Sequence, residues 1–293
     1  MKTKPIFFSI SIGTIFILVA TLILSAADLL AQEVENHITV GSEISYIDYE
    51  EPDFMEEKGV MFGVFGDYTY RMAHNEKVSS AADFFANYGS NKMFGIDGRL
   101  SAGELDYDSS GTGSVDDVED FLAEIRGVAG YDLVMSGDST LTPYFGIGYR
   151  YLLDALGGKT STTGAVGYDR ESQYWYMPFG IEARAPMAND WVFGFNLEYD
   201  LFLSGNQKSH LEDVSSSLST LDNDQDKGFG VRGSVKLAKK MQNCEVSVEP
   251  FIRYWNVDES DVGTINCGGT PCALGYEPDN ESTEYGVQVG VGF

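Results

Sequence analysis

Few side chains in this sequence are placed for chemistry. Its histidines are His37, His74 and His210. Only His210 lies in a polar, acidic run, Lys208-Ser209-His210-Leu211-Glu212-Asp213, where an acid–histidine couple would have to be built. A surface histidine in a polar loop is the simpler reading. Oxygen-rich runs suit Ca²⁺, and Asp222-Asn223-Asp224-Gln225-Asp226 is one of them. It lacks the glycine and the distal bidentate Glu of an EF-hand loop, so it reads as a solvated acidic loop. Cys267-Gly-Gly-Thr-Pro-Cys272 closes a short hairpin. With no histidine beside it, a disulfide is expected there and a metal is not. These residues predict no catalytic group, no metal and no cofactor.

The elements that carry them are strands. Tyr285, Val287, Val289, Val291 and Phe293 share one face of an extended segment, and Gly286, Gln288, Gly290 and Gly292 share the other. The same period of two marks nine earlier segments, such as Phe62-Val64-Tyr68-Tyr70, Leu141-Phe145-Ile147-Tyr149-Tyr151 and Trp191-Phe193-Phe195-Leu197-Tyr199-Leu201. The apolar faces are almost free of charge, and their aromatics sort to the two strand ends, as two membrane interfaces favour. Long polar connections (about 50–59, 106–118, 152–172, 203–227 and 256–282) alternate with short ones (135–139, 186–190 and 238–243). Short periplasmic turns and longer outer loops produce that alternation. The connection 72–91 breaks it, and its Ser80–Phe85 stretch is expected to be a short helix or a strand extension. The fold expected is all-β: a ten-stranded antiparallel up-and-down transmembrane β-barrel over residues 36–293.

The faces opposite the apolar ones carry both signs of charge. Glu124, Arg126, Arg150, Glu182, Arg184, Glu198, Arg232, Glu249 and Arg253 are expected to form an ion-paired ladder between neighbouring strands inside the lumen. Asp67, Arg71, Asp97, Arg99, Asp200 and Lys236 share that face. A ten-stranded lumen is narrow enough for side chains to fill, and a thin charged pore is the functional alternative. Cys244 falls at a periplasmic turn, a full bilayer from the other cysteines, and is expected to stay a free thiol.

Residues 1–31 read as a signal peptide. A basic Met1–Lys4 start precedes the apolar run Ile6–Leu24, with cleavage expected after Ala27 or Ala31. The net charge of −26 disfavours nucleic acid as a partner. Glu50, Glu51, Asp53, Glu56 and Glu57 crowd the first outer connection, and Asp258, Glu259 and Asp261 lie in the fifth.

Together the signal sequence, the alternating strands and the terminal Tyr285…Phe293 resemble the small porin-like outer-membrane barrels of Gram-negative bacteria. The resemblance implies a place in the bacterial outer membrane. It implies contact with outer-membrane lipid, and a final strand that looks like the signal read by the barrel-assembly machinery. It implies no substrate, and the external ligand stays unassigned. Ten strands also suit the omptin-type proteases, which use paired acids and an acid–histidine couple at the outer rim. Position 208, where that family's Asp-x-His would begin, is Lys here, and no paired-acid motif matches. The expected role is structural or surface interaction through acidic outer loops, not an enzyme. A narrow cation-preferring porin comes second, because acidic loops would concentrate cations at its mouth. An omptin-like protease comes third.

Overall fold

The computed structural model describes residues 35–72 and 91–293. The signal segment, His74 and the 80–85 stretch lie outside the described residues. Ten long strands form the wall. They are β1 (Glu35–Glu51), β2 (Met55–Arg71), β3 (Lys92–Ser109), β4 (Gly113–Tyr131), β5 (Thr140–Ala155), β6 (Arg170–Pro186), β7 (Trp191–Ser209), β8 (Gly228–Lys240), β9 (Glu245–Val257) and β10 (Asn280–Gly292). Each pairs antiparallel with its sequence neighbour, and β10 pairs with β1 from Thr39↔Gly292 to Glu50↔Glu281. The ring is closed, so no edge is left unpaired, as a bilayer requires.

The alternation seen in the sequence sets which residues face where. Phe62, Ile96, Ile125, Phe145 and Val289 are all about half exposed on the outside. Their inward neighbours Met61, Leu122 and Glu284 are at most 2% exposed. An apolar outside around a polar inside is stable only in lipid. Toward one end the outer aromatics touch around the wall: Tyr149–Trp175 at 4.9 Å, Tyr46–Tyr285 at 5.6 Å, and Tyr199–Phe229–Tyr254 at 6.2 and 6.0 Å.

The outer face therefore makes a direct prediction. Val289→Arg places a charge among lipid tails at a cost of about 2–4 kcal/mol, and should block assembly. Gln288→Arg points inward, where Gln288 donates to Glu43 at 2.8 Å, and should assemble. Heat-modifiable migration on gels reads both, and equal outcomes would overturn the assignment of faces.

The outer connections depart from expectation. The first is a turn over residues 52–54 and the second a turn over 110–112, because pairing continues to Glu51↔Met55 and Ser109↔Gly113. Asp53 (φ 70°) and Gly113 (φ 78°) take the left-handed conformation that tight turns use. Strands β1–β7 run 16–19 residues, whereas crossing a bilayer takes about 9–11. The surplus stands above the membrane as a crown of paired strands. On the side of the shorter β8–β10, the segment Leu221–Gln225 extends the wall by pairing with the end of β7. Beside it stands the hairpin Gly263–Cys267/Thr270–Gly275. The fourth and fifth connections are thus partly sheet.

Candidate functional site

The lumen is filled in tiers. Arg99 lies at the centre of the charged tier. Its Nε donates to Glu124 at 2.8 Å, Nη1 to Glu43 at 3.1 Å, and Nη1 and Nη2 grip both oxygens of Glu284 at 2.8 Å. Arg232 donates to Glu124 at 2.8 Å and to Asp200 at 2.8 Å, and lies 3.0 Å from Glu198. Arg126 joins Asp97 at 2.8 Å and Glu198. Arg253 joins Glu284 at 3.2 Å and Glu43 at 3.6 Å.

Neighbouring strands do pair, as in Arg232–Glu198, Arg126–Asp97 and Arg253–Glu284, but other ion pairs cross the lumen. Arg126–Glu198 links β4 to β7, Arg232–Glu124 links β8 to β4, and Glu182 is held by Arg71 of β2 at 2.7 Å. The lumen is narrow enough for an extended Arg to reach across it, so cross-lumen partners compete with adjacent ones. Arg150 departs furthest. It lies over the rings of Tyr174 and Trp255 at 5.7 and 5.8 Å, not in an ion pair with a described residue. Among the described residues Arg184 approaches Glu182 alone, at 3.9 Å on its own strand, and Glu249 meets Lys236 at 4.0 Å. Glu43 and Glu284, which complete the hub, escaped the sequence reading. Their inward parity, in phase with Ser45 and Gly286, was the available signal.

Beyond the charges lies an aromatic tier. Tyr174, Tyr176, Phe202, Trp255 and Val257 form one buried cluster. Trp255 meets Tyr176 edge-on at 5.0 Å and Tyr174 at 5.9 Å, while Arg232 lies over both Tyr176 and Trp255. A second cluster, including Ile47, Met61, Leu105, Leu122 and Leu152, fills the opposite wall. On the periplasmic side of the hub is a cavity of about 260 Å³, bordered by His37, Asp67, Arg184 and Lys236.

Inside the crown the acids reappear. Glu51 and Glu57, expected in a solvated loop, are 5% and 2% exposed and point inward, because the strands continue past the membrane. Arg170 binds Glu51, reaches Asp154 at 3.1 Å and lies 3.7 Å from Glu277. Burial pushes the Glu277 carboxyl up to about 8. Cys267 and Cys272 are bonded at the hairpin tip, with a Cα separation of 5.7 Å, and Cys244 carries a free thiol near the turn after β8.

His210 sits at the crown's edge. Its Nε2 meets Glu171 at 2.9 Å and its Nδ1 meets Glu212 at 3.2 Å. Partial burial opposes its charge, but the hydrogen bonds to Glu171 and Glu212 outweigh burial and hold its pKa above the ordinary value. A raised histidine pKa stabilises below the unfolded value of about 6.5 and loses that contribution as pH rises through the folded value. Protection of the amides in residues 211–220, measured against their intrinsic exchange rates, should therefore fall from pH 6 to pH 9. His210→Gln should flatten that dependence, and an unchanged pH profile in the variant would remove His210 as its source.

A closed ten-stranded barrel with an apolar belt belongs to the outer-membrane class of β-barrels. No protein-family model matches the chain, and no curated protein matches it. Among solved structures it is similar to the outer membrane protease OmpT from Escherichia coli, with a TM-score of 0.60 at 10% identity over 90% of this chain and 97% of that one. The translocator domain of autotransporter NalP from Neisseria meningitidis aligns at TM-score 0.42 and 10% identity, covering 95% of each chain. The Pseudomonas putida toluene transporter TodX aligns at TM-score 0.34 and 11% identity, covering 93% of this chain and 92% of that one. At 10% identity the likeness to OmpT concerns the fold alone.

Proposed function

We propose that this chain is a sealed outer-membrane barrel that serves as a surface-interaction protein, presenting a rigid acidic crown to cationic partners. The carrying observation is the filled lumen: the Arg99 hub and the Trp255 cluster occupy the cross-section that a pore would need open. The crown supports the rest of the reading. Its wall is hydrogen-bonded strand, and exposed Asp106, Asp108, Asp116, Asp222, Asp224, Asp258, Glu259 and Asp261 give its outer surface an excess of negative charge. Outer-membrane lipid surrounds the belt, and the barrel-assembly machinery would read Tyr285–Phe293 as the closing strand.

The porin alternative draws on the periplasmic cavity, which would have to connect through both tiers. A protease like OmpT would need a base at the rim, and His210 has both ring nitrogens engaged by carboxylates, leaving neither free to take a proton from water. One preparation in lipid nanodiscs and planar bilayers tests the proposal. No stable unitary current is expected, and oligolysine should bind with an affinity that falls as salt rises. A steady current would favour the porin, and peptide cleavage lost in His210→Ala would favour the protease. Oligolysine binding that ignores salt would end the acidic-crown reading.

A further inference from the structure

Glu57 of β2, Asp120 of β4 and Asp154 of β5 converge inside the crown, where one carboxylate oxygen from each lies within 4.8 Å of the other two. The three residues are 2%, 5% and 4% exposed. Glu57 Oε1, Asp120 Oδ1 and Asp154 Oδ1 are each shielded from solvent and have no hydrogen-bond partner. Buried polar oxygens are ordinarily satisfied, so three orphans aimed at one place require an explanation. A cavity of about 10 Å³ lies among them, the space of a single water-sized sphere. Arg170, Ser172, Gln207 and the Tyr49 ring also border it, and the Tyr49 hydroxyl donates away to Glu51 at 3.3 Å.

The local charge is one-sided. Glu51, Glu57, Asp120, Asp154 and Glu277 surround this region, and Arg170 is the cation bonded within it. Lys159 at the rim donates to the backbone of Asp117. Like carboxylates this close cannot all ionise unless a cation or shared protons separate them. We propose that Glu57, Asp120 and Asp154 form a buried binding site for a single hard divalent cation of the calcium class. The all-oxygen donor set selects such ions over Zn²⁺ or Cu²⁺. The ligands come from three different strands, so the cation cross-links the crown from inside. Burial, and then the neighbouring carboxylates, push the Glu57 and Asp120 acids well up, and burial raises Asp154 despite Arg170.

The other acidic cluster, Asp48, Glu50 and Glu56, is partly or fully exposed, and Lys58 meets Glu56 there at 2.6 Å. It serves as the control. The test titrates the folded, detergent-solubilised full barrel, stripped with EDTA, with CaCl₂ by calorimetry. In a parallel titration, TbCl₃ is read by emission sensitised through Tyr49. One saturable Ca²⁺ equivalent is expected. Asp120→Asn/Asp154→Asn should weaken it at least about tenfold, whereas Glu50→Gln/Glu56→Gln should leave it unchanged. Tyr49→Phe should dim the terbium signal without shifting its midpoint. If the Asn variant does not fold, the Tyr49→Phe result still decides. No saturable uptake of Ca²⁺, Mg²⁺ or Mn²⁺ at millimolar concentration would overturn the site, as would equal binding by the Asn variant. Retained terbium emission in Tyr49→Phe would place the ion elsewhere.

Discussion

Arg99→Met is expected to destabilise the barrel by about 3–5 kcal/mol, the cost of leaving buried charge without its partner. Arg99 meets three carboxylates through four hydrogen bonds, and Glu43, Glu124 and Glu284 are each at most 6% exposed. Arg232 would still hold Glu124, and Arg253 would still approach Glu284 and Glu43. The deficit is thus one charge shared among three acids, which sets the upper end of the range. Arg99→Lys should fall between, because an ammonium cannot reproduce the two-pronged grip on Glu284. Adding Glu284→Gln to Arg99→Met should restore part of the loss, so a double-mutant cycle in urea measures the coupling. Arg184→Met is the contrast: its side chain is 32% exposed and its nearest acid among the described residues is 3.9 Å away, so less than about 1 kcal/mol is expected. Equal losses at Arg99 and Arg184 would show that burial does not govern the network.

The second large effect concerns the seal. Trp255→Ala removes a side chain 3% exposed that contacts Tyr174 and Tyr176 and lies beneath Arg150 and Arg232. Truncating a buried Trp costs about 3–5 kcal/mol. The larger consequence is for permeation. The space left adjoins Gly230, whose missing side chain would otherwise meet the Trp255 ring at 3.0 Å. The void therefore opens along the wall beside the Arg232 tier. Planar bilayers should show current events in Trp255→Ala/Tyr174→Ala that the unmutated protein lacks. Leu201→Ala, on the lipid face at 41% exposure, should not produce them. A double variant as tight as the parent would mean that the ion pairs alone close the lumen.

The wall was legible because period-two alternation survives wherever one face meets lipid. Phe121, Ala123 and Ile125 and their inward neighbours Leu122 and Glu124 took the faces their spacing assigned. The crown was less legible for the same reason. Above the membrane the outward face turns polar, so residues 50–59 read as a loop although pairing continues to Glu51↔Met55. Asp222-Asn223-Asp224 is similar: the acids face out, and Asn223, 1% exposed, donates inward to the Asp261 backbone at 2.9 Å. Sequence spacing also places partners along a strand or on its neighbour, and it carries no information about who meets whom across a closed ring. Arg99–Glu284, which joins β3 to β10, is therefore invisible until the ring exists.

The same contact bears on how the barrel is finished. β10 carries Gly286, Gly290 and Gly292 inward, and a methyl at Gly286 would lie 2.3 Å from the Ile44 carbonyl. On its inner face the junction of the first and last strands is thus smooth backbone against backbone around these glycines, while Tyr46 meets Tyr285 outside. Glu284 adds a hold from within: it reaches over β1 and β2 to Arg99, and Gln288 reaches Glu43. A wall that stops at β9 leaves Arg99 without the acid that grips it with two oxygens. The buried charges therefore act as a proofreading strap, complete only when the final stave is in place and in register.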